Sequence, residues 1–164
     1  MASPLRAIPY ICVFWNLPHH IGHNSALDVA FVLMMPESIL PDLQACVLCE
    51  DVRQEASGQQ TLIGILGAIP APVVPIGFFK LCLWTRWCGG QGAFTQQSAI
   101  LTPEDDSPIA TSEVEFELPS LEAHATNVHV FGGLQFLKHG IYTVEIKLDG
   151  ELRFRFPMPV VSMP

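Results

Sequence analysis

Charged side chains are scarce in this chain: only 15% of its 164 residues are Asp, Glu, Lys or Arg. A disordered chain needs high charge and low hydrophobicity, whereas here 49% of residues are hydrophobic and the mean hydropathy is +0.35. Basic residues are scarcest, eight against sixteen acidic, for a formal net charge of −8. That balance repels a phosphate backbone and argues against nucleic-acid binding. Long apolar runs are missing as well. None reaches the roughly eighteen residues of a membrane-spanning helix, and the best stretch, Ala26 to Met35, carries Asp28. No membrane span is expected. The five cysteines, Cys12, Cys46, Cys49, Cys82 and Cys88, are odd in number and too sparse for a disulfide framework. Free thiols in a reducing, cytoplasmic compartment are the simplest expectation. A secretory signal fits poorly, because Arg6 is the one early positive charge and Pro9, Pro18, His19 and His20 interrupt the apolar stretch. Catalytic signatures are missing too: there is no G-x-S-x-G elbow, phosphate-binding glycine loop, H-E-x-x-H or dinucleotide fingerprint. No catalytic residue, metal ligand or cofactor is assigned.

What is present falls into two regions. Residues 1–41 hold aromatics, prolines and histidines without helical or strand periodicity, and read as an irregular extension. Two explanations stay open: translation starting at Met34 or Met35, or a short apolar arm that packs on the domain or on a partner. Residues 42–164 read as one β domain. Strands are expected at Leu43–Glu50, Gln60–Ile69, Phe78–Cys88, Phe94–Leu101, Ile109–Leu118, Thr126–Leu137 with a bulge at Gly132-Gly133, Ile141–Leu148 and Glu151–Phe156. The last is expected to run on past Pro157 and Pro159 as an edge strand. Asp149-Gly150 is a two-residue hairpin signal. Alternation is clean in places: Val114, Phe116 and Leu118 oppose Glu113, Glu115 and Glu117, and Tyr142, Val144, Ile146 and Leu148 oppose Thr143, Glu145 and Lys147. The fold expected is all-β: an antiparallel, immunoglobulin-like β-sandwich of about eight strands.

Two resemblances bear on this. Gly140-Ile-Tyr142-Thr-Val144 looks like the late strand of immunoglobulin-like domains, where a tyrosine hydroxyl closes a corner onto nearby backbone. More specifically, three motifs together resemble an uncharacterised family of small bacterial proteins over about residues 43–161. They are Cys49-Glu-Asp-Val-Arg53 with Gly58 and Leu62-Ile-Gly64, then Thr85-Arg-Trp87-Cys-Gly-Gly90, then the hairpin from Gly140 to Gly150. That resemblance implies a bacterial β-sandwich carrying a domain of unknown function, and no activity.

Three clusters are candidates for a site. Cys46 and Cys49 form a C-x-x-C, the spacing of zinc knuckles and redox helices, yet on a strand an odd separation turns the two side chains to opposite faces. Glu50, Asp51, Arg53 and Glu55 form a dense charged group that either holds a cation or polar ligand or staples a turn at a strand end. On the third strand, Lys80, Cys82, Trp84, Arg86 and Cys88 share one face, opposite Phe79, Leu81, Leu83, Thr85 and Trp87, which read as core. An outward Trp84 between Lys80 and Arg86 suits a partner side chain or a sugar ring; the plainer alternative is a Trp84 covered by neighbouring chain. His124, His129 and His139 are scattered. These features favour a non-enzymatic interaction module that binds an unknown protein partner or a second copy of itself. A small-ligand or carbohydrate module using Trp84, Arg86 and Lys80 comes second. A metal-dependent enzyme built on Glu50, Asp51 and histidines comes third.

Overall fold

The computed structural model describes residues 38–162. They form nine strands: β1 Asp42–Gln54, β2 Gln60–Ile65, β3 Ile69–Pro70, β4 Ile76–Cys88, β5 Gly92–Leu101, β6 Pro108–Leu118, β7 His124–Phe136, β8 Gly140–Leu148 and β9 Glu151–Val161. One sheet has the order β2-β1-β4-β7 and the other β3-β9-β8-β5-β6. Neighbours are antiparallel throughout, except that β3 lies parallel to β9. The strand expected over Gln60–Ile69 is split. β2 ends at Ile65, the chain crosses over, and Ile69–Pro70 joins the opposite sheet, giving nine strands rather than eight. Pro70 suits that short edge position, since it has no N–H for a ladder on its far side. β9 is an edge along most of its length: β3 pairs with it only at Val160 and Val161, and of these only Val160 also has a β8 partner.

The inner faces of the two sheets share one core. β4 contributes Leu81, Leu83 and Trp87, β5 Phe94 and Ile100, and β8 Tyr142, Val144, Ile146 and Leu148, all essentially excluded from water. Aromatic rings bridge the sheets: Trp87 stacks on Phe116 with centroids 6.0 Å apart, and Phe136 meets Tyr142 edge-on at 5.1 Å. The Tyr142 hydroxyl donates to the carbonyl of Lys138 at 3.3 Å. The Asp149-Gly150 turn has the expected left-handed pair, with φ of 51° and 83°.

The expected bulge at Gly132-Gly133 is absent, and a different irregularity takes its place. Pairing of β4 with β7 keeps one register from Ile76↔Phe136 to Cys88↔His124. Yet Phe131 and Leu134, three residues apart, both face the core, as do Leu81 and Phe78 opposite them. On a regular strand an odd separation points to opposite faces. Both strands therefore reverse their faces at the same point, and Gly133, with φ of 65°, makes the reversal possible. Phe79, read from the sequence as core, falls at that reversal and stands 93% exposed.

Residues 38–41, placed by the sequence reading in the extension, are fastened to the β4–β5 turn. Ile39 and Gln91 exchange two backbone hydrogen bonds of 2.9 Å, and Pro41 is buried. Gly90 permits this contact: a Cβ there would lie 2.6 Å from the backbone nitrogen of Pro41. Gly90→Ala is expected to cost about 1–3 kcal/mol. Gly67→Ala, with nothing within 4 Å of its Cβ position, is the control. Urea midpoints of the two variants check this.

Candidate functional site

β4 carries the site because its regular alternation turns Lys80, Cys82, Trp84 and Arg86 to the outer face. The register supplies their neighbours. Trp84 lies between Val47 of β1 and Val128 of β7, and Arg86 between Ala45 and Thr126. Cys82 lies between Cys49 and Val130. This outer face is concave, an open depression of ≈ 1860 Å³ that runs from Phe79 at one end to His124 at the other. Trp84 is half-buried at its centre, and its indole N–H donates to Gln60 Oε1 of β2 at 2.6 Å.

Of the charged group, the structure gathers Asp51, Arg53 and Lys80 and leaves Glu50 apart. Asp51 sits in the middle of a strand rather than at a turn, since β1 continues to Gln54. Its carboxylate accepts from Lys80 and from the backbone N–H of Val52 at 2.9 Å, and it pairs with Arg53 at 3.5 Å. The hydrogen bond from Lys80 above all holds the Asp51 carboxyl below its ordinary range. Glu50 points elsewhere, its carboxyl filling the space above Gly64. Arg86 differs from the other described lysines and arginines in having no carboxylate partner, although a buried, unpartnered Nε is a feature it shares with Arg153.

The thiols divide as odd spacing on a strand requires. Cys46 packs against the core, while Cys49 is paired with Cys82 on the outer side. All are free, and burial pushes Cys46 up to about 12, Cys49 up to about 11, and Cys82 above its ordinary value. Those three raised thiols stay protonated at neutral pH. His139 binds the carbonyl of Ala71 at 2.8 Å, His129 lies in the core, and His124 lines the end of the depression. Among the described residues no three His, Cys, Asp or Glu side chains gather in a metal-binding group. Cys12, His19, His20 and His23 lie outside the described residues.

One polar cluster was missed by the sequence reading. Gln96 of β5 is fully buried, and its Oε1 accepts from three donors across the sheets: Trp87 Nε1 at 2.7 Å, Thr85 Oγ1 at 2.9 Å and Asn127 Nδ2 at 2.9 Å. Its own Nε2 donates to Ser98 at 3.1 Å. The available signal was Gln96 and Ser98 standing at inward positions between Phe94 and Ile100. The cluster ties one sheet to the other beneath the outer face that carries Trp84. Beside it, both ring nitrogens of His129 and Oδ1 of Asn127 are buried without partners. Burial lowers the His129 pKa to about 4.

No curated protein matches this chain. A family model, described as a family of unknown function (DUF6941), matches residues 44–161, which takes in β2 to β9 and all but the first two residues of β1, Trp84 and Arg86 included. The chain belongs to that family of unknown function.

Proposed function

We propose that this domain is a non-enzymatic binding module, and that it docks a protein partner or a second copy of itself on the concave outer face of the β2-β1-β4-β7 sheet. The observation that carries this reading is the setting of Trp84. It is half-buried at the centre of the depression, flanked by Val47 and Val128, with Arg86 two residues away along the strand on one side and Lys80 four residues away on the other. A tryptophan among apolar neighbours with a charged rim is the arrangement of interface hot spots. Phe79, fully outward at the rim, extends the apolar surface.

The titratable groups favour binding over chemistry. A general acid or base works best with a pKa near the operating pH. Here the resolved shifts run the other way. Asp51, Glu122 and Asp105 lie low, Asp105 at about 2, the thiols are raised, and His129 is lowered inside the core. A carbohydrate or small-ligand module using Trp84, Arg86 and Lys80 stands as the second reading, favoured by the planar indole beside an arginine.

The strand order supports an immunoglobulin-like sandwich as the finer description of the fold. β1, β4 and β7 occupy one sheet and β5, β8 and β9 the other, the division of strands A, B, E and C, F, G in that class. The Tyr142 hydroxyl on the Lys138 carbonyl stands where the tyrosine corner of such domains stands. The free thiols suit our reading of a cytoplasmic, bacterial protein.

The test is Trp84→Ala. Its indole is half-exposed on the outer face and its hydrogen bond is to exposed Gln60, so the melting temperature is expected to stay close to that of the parent. Self-association measured by light scattering, or recovery of a saturable partner, is expected to fall by about tenfold or more. Unchanged association with an intact fold overturns the proposal.

A further inference from the structure

The depression contains a cation that no carboxylate among the described residues answers. Seven lysines and arginines are described, and six of them, Arg53, Lys80, Lys138, Lys147, Arg153 and Arg155, pair with carboxylates. Arg86 does not, in a chain with sixteen acidic residues. It is half-buried and lines the depression; its Nε is covered by the protein itself, as is that of Arg153, but no carboxylate meets the outer N–H groups of its guanidinium. A buried donor without a partner is unfavourable, and a carboxylate is the group that best fits the fork of a guanidinium.

Arg86 and Trp84 stand two residues apart on one face of one strand, about 7 Å along it. An extended peptide lying along β4 repeats that spacing, so residues two apart in the peptide meet Trp84 and Arg86 together. The distance from Lys80 to Arg86 is about 20 Å at the rise of a strand. That is a long, open surface, suited to an extended chain, whereas small-molecule sites enclose most of their ligand. Glu117 and Glu122 also border the depression. Their charge disfavours a run of acidic residues and leaves room for one.

Building on the reading of Trp84 as the centre of the docking face, we infer that the partner presents an extended segment with one acidic side chain for Arg86 and an apolar side chain two residues away for Trp84. Recognition is by charge at one point and by apolar contact at the next.

The test uses the full chain labelled with nitrogen-15 and two capped pentapeptides, Thr-Phe-Thr-Glu-Thr and Thr-Phe-Thr-Gln-Thr. The expected result is that the glutamate peptide moves the indole N–H signal of Trp84 and the Nε–H signal of Arg86, and binds about tenfold more tightly than the glutamine peptide. Arg86→Gln is expected to abolish that difference while Trp84 still responds to both. If both peptides move Trp84 and bind equally, the docking face stands and the carboxylate inference falls. If the glutamate peptide moves neither signal at millimolar concentration, the inference is overturned, and the docking face rests on the association of Trp84→Ala alone.

Discussion

Gln96→Leu is expected to destabilise the domain by about 4 kcal/mol, because it strips one acceptor from three buried donors at once. Trp87 Nε1 and Asn127 Nδ2 would lose their acceptor, and Thr85 Oγ1 would keep only a 3.5 Å contact with the Asn127 carbonyl. Bulk solvent does not replace the lost acceptor, since Thr85, Trp87 and Asn127 are each at most 1% exposed. Leucine brings apolar volume but no acceptor, and each orphaned donor costs about 1–3 kcal/mol. A loss of this size is a large share of the roughly 5–15 kcal/mol typical of a folded domain. The link between the sheets is tested by a cycle: Trp87→Phe should cost less in the Gln96→Leu background than alone. Urea denaturation followed by tryptophan fluorescence reads both. A cost below about 1 kcal/mol for Gln96→Leu would mean that the cluster does not fasten the sheets.

The second large effect is an acid sensitivity centred on His129. Its ring is fully buried on the inner face of β7, both nitrogens lack partners, and the buried polar groups of that core, Thr85, Gln96, Ser98 and Asn127, carry no charge to offset an imidazolium. The folded pKa of about 4 lies below the ordinary 6.5. Between those values the unfolded chain binds the proton and the folded chain does not, so stability rises with pH across this window and falls on acidification through it. The loss from pH 7 to pH 4 is expected to be about 3 kcal/mol from this residue. His129→Leu should remove the loss between pH 6.5 and 4 and leave stability at pH 7 unchanged or improved, because two orphaned polar atoms disappear. Asp105, held at about 2 by hydrogen bonds from Ser107 and Thr102, contributes its loss only at lower pH, below its ordinary 3.8. The two steps separate in a series of melting temperatures against pH. A His129→Leu variant that keeps the wild-type slope between pH 6.5 and 4 would contradict this.

Much of the strand framework was legible because alternation is a local property. Tyr142 to Leu148 face inward at every second residue, Trp84 and Arg86 face outward, and Asp149-Gly150 turns the chain as its composition implies. What escaped depended on partners distant in sequence. Phe79 reads as core from its own strand, and its outward turn exists because Gly133 on β7 lets two paired strands reverse together. Ile69 continues the pattern of β2, yet it belongs to the other sheet, where Val160 is its partner. The charged group around Asp51 was visible as a cluster, but Lys80, 29 residues away, is what fixes its carboxylate. Gln96 looks like an ordinary polar residue until three donors from the opposite sheet converge on it.

The most direct test of the docking face is photo-crosslinking in living cells from two positions on opposite sides of the molecule. A photoreactive residue at Phe79 reports on the rim of the depression, and one at Ile141, 62% exposed on β8, reports on the outer face of the other sheet. The expected result is a discrete crosslink from position 79, to one partner or to a second copy, that disappears when Trp84→Ala is added. Crosslinks from position 141 alone, or crosslinks from position 79 that persist without the Trp84 indole, would contradict the assignment of this face.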